Sequence, residues 1–368
     1  MTAPLMQASR QWSSRPADQR FTSLTDLHAA VVHHREVAAE QKGVALRNLR
    51  VTTEQDGSGI VHPVLGTNTT DKTAKFTHFS FGQLARRVGA PASYLRNLSA
   101  GLASANLNEG IRKGVADDAS DNTMLFAQNG ELVLRAITSD KYTRIWNSDV
   151  TSRLIKLTED APEWQPAPAA FDGSRGLYAS EKDIFAFMVD DDRRIFETLP
   201  GGGLSRGFFI SNSEVGDASF SLTTFLYQYV CGNHMVWGAQ GVKNIRIPHI
   251  GDADTRAFRN ITVELRKYAN ESAAADEAKI EKMTRYAFKG TKDEVLDTIF
   301  KQIGQAIPKG TIGDAIAIGD KSEDRYGTPR TVFSIVSGLT EIARDKVNAD
   351  ERVKLEKAAG KVAQIAFA

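Results

Sequence analysis

The segment RGFFISNSEVGDASFSLTTFLYQYVCGNHMVWG, residues 206–238, places a short polar insert between two apolar runs. Residues 208–210 are Phe-Phe-Ile, a continuous apolar run that is typical of a buried strand. Residues 220–230 predict a second strand, because aromatic and β-branched side chains recur along them. We therefore expect this segment to form a hairpin in the core of the protein.

The polar insert between these strands contains a carboxylate and an amide. Burying a neutral polar group without a hydrogen-bond partner costs roughly 2–7 kcal/mol, so such side chains must find partners or face a ligand. We predict a structural polar cluster in which Asn212, Glu214 and Asn233 hold the ends of the hairpin.

Length and composition indicate a globular protein with more than one packed unit. The chain has 368 residues, a net charge of +1 and one cysteine, Cys231. A chain of this length divides into roughly two or three units. The single cysteine excludes an intramolecular disulfide and a multi-cysteine metal site. Because the net charge is close to zero, binding to nucleic acid would require a local basic patch.

Targeting and membrane signals are missing from the sequence pattern. No apolar run reaches the ~20 residues that a membrane span needs, and the N-terminus is polar without a signal-peptide core. We expect a cytoplasmic protein with no membrane partner. We also predict no metal site and no cofactor.

The hydrophobic periodicity changes along the chain and predicts an α+β fold. We expect a mixed, largely antiparallel central sheet flanked by helices, with a helical N-terminal subdomain and a helical C-terminal region. The predicted division begins with a flexible arm at residues 1–20 and an N-terminal α/β region at residues 21–122. A β-rich core at residues 123–250 and the helical C-terminal region at residues 251–368 follow.

The N-terminal region contains a pattern that resembles a helix-turn-helix, FSFGQLARRVGAPASYLRNL from Phe79. Ala85, Gly89 and Leu95 have the spacing of a small residue, a turn glycine and an apolar anchor. If this unit contacts DNA, the contact residues are predicted to be Arg86, Arg87, Ser93, Tyr94 and Arg96. The alternative is a plain helical hairpin that packs on the neighbouring sheet.

Basic and aromatic residues alternate in SDKYTRIWNSDV, residues 139–150. Such alternation fits a groove in which bases stack and phosphates are neutralised. It equally fits a strand end with long side chains that extend to solvent. The predicted nucleic-acid contacts in the β-rich core are Arg135, Lys141, Tyr142, Arg144, Lys243 and Arg246.

Enzyme chemistry has one candidate region in the sequence. Cys231 and His234 are three residues apart and, with Glu214, are the candidates for a nucleophile and its base. No third orienting residue can be named, and no catalytic motif such as HExxH, GxSxG or a Walker sequence occurs. A small buried cysteine is the alternative interpretation.

Several of these segments together resemble a known family. LRAITSDKYTRIWNSDV, LYASEKDIFAFMVD, RGFFISNSEVGDASF and YVCGNHMVWG are similar to the phage- and plasmid-like protein family also called domain of unknown function 932. FGQLARRVGAPASYLRNL and TVFSIVSGLTEIARD extend the resemblance over most of residues 75–345. Trp146 departs from it, because a smaller polar residue is expected there. The resemblance implies no activity, and it implies a context of prophages, phages and plasmids near genes for DNA metabolism.

Three functions are compatible with these observations. The first is a mobile-element protein of DNA metabolism that binds single-stranded DNA in a groove of the β-rich core, as an oligomer that helps strands anneal or load. The second is an enzyme that acts on a nucleotide or protein substrate through the region of Glu214, Cys231 and His234. The third is a protein that binds a host DNA-processing factor.

Overall fold

The structure, a computed structural model, describes residues 17–58, 61–67, 70–113, 122–167, 175–195, 197, 203–228, 233–235, 245–270, 274–304, 307–344 and 349–367. Most of the predicted N-terminal arm, together with Cys231 and Lys243, lies outside the described residues. Asn233 and His234 are described through their backbone alone.

The described part of the chain contains strands and helices in a mixed order, which confirms the α+β class. The strands are β1 (Arg20–Phe21), β2 (Ala38–Val44), β3 (Leu49–Gln55), β4 (Val61–Thr67), β5 (Thr70–Phe76), β6 (Asn122–Asn129), β7 (Glu131–Ser139), β8 (Trp164–Pro166), β9 (Leu177–Ala179), β10 (Ile184–Ile195), β11 (Leu204–Asn212), β12 (Phe220–Gln228), β13 (Asn233–Met235) and β14 (Ile245–Ile247).

The helices flank these strands, and the longer ones follow them in the C-terminal third. They are α1 (Leu24–Glu36), α2 (His78–Arg87), α3 (Ala92–Arg96), α4 (Ala100–Arg112), α5 (Asn147–Asp160), α6 (Ala253–Asn270), α7 (Ala274–Arg285), α8 (Lys292–Ile303), α9 (Lys309–Lys321), α10 (Glu323–Tyr326), α11 (Val332–Arg344) and α12 (Ala349–Ile365). Among the described helices, none combines the length and the apolar character that crossing a bilayer requires.

The core sheet has the strand order β1-β9-β10-β11-β12-β13, with β14 paired to β12 and β8 paired to β10, and all its pairs are antiparallel. Every residue of β11 is buried. Phe208 and Ile210 pack towards α1, α5 and α6, whereas Phe209 packs towards the C-terminal helices α8, α9, α11 and α12. A strand covered on both faces has no polar side, which explains its continuous apolar run.

The N-terminal sheet has the order β2-β6-β7-β5-β4-β3, in which only the β5–β7 pair is parallel. Helices α2 and α4 cover one face through Leu84 and Leu107. Strands β6 and β7 form a hairpin at Asn129-Gly130, where Gly130 has φ +76° as such a turn requires. Both strands belong to the N-terminal sheet, so the predicted division near residue 122 falls inside this sheet.

The C-terminal helices cross at a contact that only a glycine permits. A Cβ atom on Gly338 of α11 would overlap the backbone of Ala315 in α9, whereas a Cβ on Gly360 of α12 would meet nothing. The close approach therefore fixes the distance between α9 and α11.

We expect Gly338→Ala to lower the free energy of unfolding by about 1–3 kcal/mol, because overpacking forces the two backbones apart. The matched control is Gly360→Ala, which should raise it by about 0.5–1 kcal/mol through the higher helix propensity of alanine. Urea denaturation of both variants measures the difference, and an equal effect of the two substitutions would contradict the helix crossing described here.

Candidate functional site

The polar insert forms a loop between β11 and β12, which we call the junction loop (residues 213–217). This loop lies between the two sheets. The carbonyl oxygen of Val215 accepts a hydrogen bond from Gln83 of α2 at 2.9 Å, and the side chain of Val215 packs on Leu125 and Ala136 of the N-terminal sheet. The junction loop therefore connects the core sheet to the N-terminal sheet.

Glu214 is the centre of this connection, and its side chain is fully buried. One carboxylate oxygen, Oε2, accepts from Nη2 of Arg135 at 3.1 Å. The other, Oε1, accepts from the backbone N–H of Asn147 at 2.8 Å. Asn147 is the first residue of α5, so the carboxylate supplies the N-terminal cap that the side chain of Trp146 does not provide.

Arg135 reaches Glu214 because β7 contains a bulge. Ala136 pairs with Leu125, but the next pair along the strands joins Leu134 to Phe126, which leaves Arg135 as the extra residue. A bulge changes the direction of a side chain relative to regular alternation. The guanidinium of Arg135, 5% exposed, therefore lies in the interior, where it also donates to the carbonyl of Glu181 at 2.6 Å.

Arg144 adds a second buried cation to the junction. Its Nη1 donates to the backbone carbonyl of Glu214, and its Nε donates to Glu40 of β2 at 2.7 Å. The side chain of Arg144 is almost completely buried, whereas Glu40 is partly exposed. This arginine therefore links the junction loop to the edge strand of the N-terminal sheet.

Tyr142 is also part of the junction. Its hydroxyl donates to the carbonyl of Ser213 at 2.8 Å, and its ring stacks on His249 with centroids 4.9 Å apart. The guanidinium of Arg144 lies 5.3 Å from the centroid of the same ring. Burial raises the pKa of Tyr142 well above its usual value, so the hydroxyl stays protonated.

Asn212 completes the described part of the predicted polar cluster. Its amide Nδ2 donates to the carbonyl of Ile145 at 2.8 Å and to Oδ1 of Asn147 at 2.7 Å. Asn212 and Glu214 thus both bind Asn147, through its side chain and its backbone N–H respectively. The backbone of Asn233 pairs with Gln228 in β13, and the role of its side chain stays a prediction.

The predicted nucleic-acid contacts of the β-rich core separate into two groups. Arg135 and Arg144 are buried and Tyr142 is half-buried, and all three are hydrogen-bonded within the junction. Their role as phosphate and base contacts stays a prediction. Lys141 and Arg246 are exposed. The carboxylates that pair with Arg135 and Arg144, Glu214 and Glu40, lie far from them in the sequence.

The region considered for enzyme chemistry is only partly described. Both carboxylate oxygens of Glu214 are bound to donors and shielded from solvent, which leaves no access for a substrate in this conformation. The backbone of His234 pairs with Tyr227, while Cys231 lies outside the described residues. Among the described residues, no cluster of His, Asp or Glu has the arrangement of a metal site.

The helix-turn-helix-like segment forms α2, α3 and the start of α4. Ala85 and Leu95 are buried, and Gly89 has φ +72°, so the three positions have the roles that their spacing predicts. Helix α3, however, has only five residues and spans about 7.5 Å. It is much shorter than a helix that fills the major groove of duplex DNA.

The predicted contact residues of this segment are mainly on its surface. Arg86, Ser93, Tyr94 and Arg96 are exposed, Tyr94 to 58%, whereas Arg87 is half-buried and donates to Asn122 at 3.1 Å. Their location leaves them accessible to a ligand, in contrast to the arginines of the junction.

Arg96 lies flat across the first turns of α2. It donates to the carbonyl of His78 at 2.7 Å, and its guanidinium is 5.4 Å from the ring centroid of Phe81. Arg96 passes close to Gly82, where a Cβ would lie 3.2 Å from Nη2 of the arginine.

A cavity of about 420 Å³ opens next to Arg96, between the ends of β4 and β5 and the first turns of α2 and α4. We call it the N-terminal cavity. Its basic lining residues are His62, Lys75, His78 and Arg96. Its apolar lining includes Phe76, Phe81, Leu95, Leu98, Ala100 and Ala103.

Two side chains that line the N-terminal cavity, Lys75 and Arg96, are cationic, and His62 is paired with Asp56 at 2.7 Å. None of the described residues that line the cavity is acidic. Burial and the nearby charges of Arg96 and Lys182 lower the pKa of His78, so this ring is neutral at neutral pH. Helices α2 and α4 both begin at the cavity with the positive ends of their dipoles. Lys75 forms an exposed pair with Glu131 at 2.7 Å, and such pairs are weak.

Sequence reasoning missed His62, Lys75 and His78 as members of a site. His62 and Lys75 lie in a stretch with the composition of a polar loop, which the structure shows as strands β4 and β5. Only the exposed residues of the helix-turn-helix-like pattern pointed to this part of the molecule.

The fold and the junction define an α+β protein whose two sheets are joined by a buried polar network. A family model described as Domain of unknown function (DUF932) matches residues 135–359, more than half of the chain. The chain therefore belongs to this family, as its sequence motifs predict. The match includes the junction and begins after the residues of the N-terminal cavity. Neither a search of curated proteins nor a search of solved structures found a match.

We expect Glu214→Gln to lower the free energy of unfolding by about 3–5 kcal/mol, because it leaves the charge of Arg135 buried without a counterion. The matched control is Asp217→Asn in the same loop, which removes a half-exposed pair with Lys182 and should cost only about 0–1 kcal/mol. Chemical denaturation measures both. Equal stabilities of the two variants would contradict a central role for the buried ion pair.

The junction also predicts a pH dependence of stability. Burial is the main cause that lowers the pKa of His34 and of His249 from 6.5 to about 4. Nδ1 of His249 lies 3.1 Å from the carbonyl of Thr143 and must donate to it, while its buried Nε2 has no partner in the described structure. Both rings are therefore neutral in the folded protein.

Between pH 6.5 and about 4, the unfolded chain binds protons that the folded chain does not, so the free energy of unfolding falls as the pH falls. The decrease is up to about 1.4 kcal/mol per pH unit for each histidine. We expect His249→Phe to retain ring stacking and to show a smaller decrease than the wild type. Denaturation at several pH values measures both slopes, and parallel curves would refute the contribution of His249.

Proposed function

We propose that this protein binds nucleic acid, with single-stranded DNA as the preferred form, and that it acts in the DNA metabolism of a phage- or plasmid-type mobile element. The observation that supports the proposal best is the exposed face around the N-terminal cavity. It combines an accessible cation, Arg96, with the exposed aromatic ring of Tyr94. Arg86 is a further exposed cation, in the last turn of the helix whose first turn borders the cavity. Single-strand binding uses this combination, because cations follow the phosphates and aromatic rings stack on the bases.

The geometry of α3 favours a single strand over a duplex. The helix is too short to read a major groove, and Arg96 is held against the His78 carbonyl. A carbonyl is a neutral acceptor, so Arg96 keeps its positive charge for a phosphate. Tyr94 directly precedes Leu95 and Arg96, which line the cavity, and its exposed ring is available for stacking on a base.

The residues proposed here to contact the DNA strand differ from those that the sequence predicts for a groove in the β-rich core. The N-terminal face replaces Arg135, Tyr142 and Arg144, which are engaged in the junction. Lys141 and Arg246 stay predictions as additional phosphate contacts. Self-association, strand annealing and loading, and binding of a host DNA-processing factor also stay predictions.

We expect Tyr94→Ala to weaken binding of a labelled oligothymidylate by about 1–3 kcal/mol, because one stacking platform is lost. The matched control is Tyr286→Ala, which removes a tyrosine that is 40% exposed on the C-terminal helices and should leave the affinity unchanged. Fluorescence anisotropy at several salt concentrations measures the binding.

The salt dependence tests the cationic part of the proposal. The logarithm of the association constant should fall linearly with the logarithm of the salt concentration, with a slope of about −0.7 for each neutralised phosphate. Arg86→Gln should make this slope less steep. No binding by the wild type at about 50 mM salt, where phosphate contacts are strongest, would refute the proposed function.

A further inference from the structure

The N-terminal cavity has the dimensions of a ligand site and a mixed lining. Its volume of about 420 Å³ lies within the range of roughly 300–1,000 Å³ that is typical of small-molecule sites. Such sites combine an apolar lining with a few polar groups that determine orientation. This cavity has both parts, and the strand Thr70–Phe76 and the helices His78–Arg87 and Ala92–Arg96 each contribute an apolar and a basic residue.

The apolar part suits a flat ring. Phe76 and Phe81 meet edge to face with their centroids 5.7 Å apart, and Leu95 adds a buried aliphatic surface. Aromatic side chains in such arrangements provide faces and edges that favour a further ring in offset or edge-to-face contact.

The polar part suits an anion. Lys75 of β5, His78 at the start of α2 and Arg96 of α3 all line the cavity. The Arg96 guanidinium remains charged against a neutral carbonyl, and the Lys75–Glu131 pair is exposed enough for an incoming anion to compete. None of the described lining residues is acidic, and the carboxylates that contact the basic lining residues, Glu131 at Lys75 and Asp56 at His62, lie outside the lining.

A flat ring and an anionic group in one small ligand describe a nucleotide. We propose that the N-terminal cavity binds a single nucleotide unit, with its base against Phe76 and Phe81 and its phosphate towards Arg96 and Lys75. The inference rests on the proposed function, because it assigns one unit of a bound strand to a specific pocket. A free mononucleotide would occupy the same pocket, and the experiment distinguishes the two sources.

The test uses the full-length protein and deoxyadenosine monophosphate, with deoxyadenosine and inorganic phosphate as the two partial ligands. Isothermal titration calorimetry should give a dissociation constant below about 1 mM for the mononucleotide and at least about tenfold weaker binding for each partial ligand. Inorganic phosphate that binds as tightly as the mononucleotide would overturn the inference in favour of a plain anion site. Undetectable mononucleotide binding would also overturn it.

Two matched variants on α4 test the location. Ala100 lines the cavity, whereas Ala105 is exposed on the same helix and does not line it. Ala100→Phe should weaken mononucleotide binding by at least about tenfold, because the new ring occupies the cavity, and Ala105→Phe should leave it unchanged. Thermal unfolding confirms that both variants fold, and equal mononucleotide binding by both would overturn the location.

The same variants separate this inference from the proposed function. If oligothymidylate binds to the wild type and to Ala100→Phe equally, while the mononucleotide does not bind, the inference fails and the proposed function survives. If the mononucleotide binds in the cavity and the oligonucleotide does not bind, the inference of a nucleotide site holds and the proposed function fails. If Ala100→Phe weakens the binding of the mononucleotide and of the oligonucleotide, and Ala105→Phe weakens neither, the result supports both the inference and the proposed function.

Discussion

A buried ion pair between Arg135 and Glu214 connects the two sheets of this protein. Arg135 belongs to the N-terminal sheet, and Glu214 follows the central strand of the core sheet. Because neither side chain is accessible to water, each charge depends on the other for its compensation. The same carboxylate accepts the first N–H of α5, so one residue fixes the relative positions of a strand, a helix and a loop.

The junction explains why residues with reactive side chains are concentrated at the end of β11 without forming an accessible site. A buried carboxylate requires several donors, and a buried guanidinium requires several acceptors. The cluster therefore assembles its own partners, with Arg144 bound to the Glu214 carbonyl and Tyr142 bound to the neighbouring carbonyl of Ser213. The chemistry that these groups would offer a ligand is used to hold the fold.

The exposed N-terminal face has the opposite character, yet it is directly connected to the junction. Lys75 and Phe76, which line the N-terminal cavity, pair with Val133 and Leu134 immediately before Arg135 in β7. Strand β7 thus pairs with the strand that lines the cavity and carries the buried Arg135 at its next position. The hydrogen bonds of the junction hold β7, and through its pairing with β5 they also support the cavity wall.

The sequence by itself determined the features that depend on neighbours in the chain. The apolar run at residues 208–210 predicted a buried strand, and Asn-Gly predicted the hairpin at Gly130, because periodicity and turn chemistry are local properties. Only the tertiary structure decided which cations are buried and which are exposed. Arg135 and its counterion Glu214 are 79 residues apart, and the cavity unites side chains from two strands and three helices. The burial of a charge depends on a distant partner, and no local pattern contains that partner.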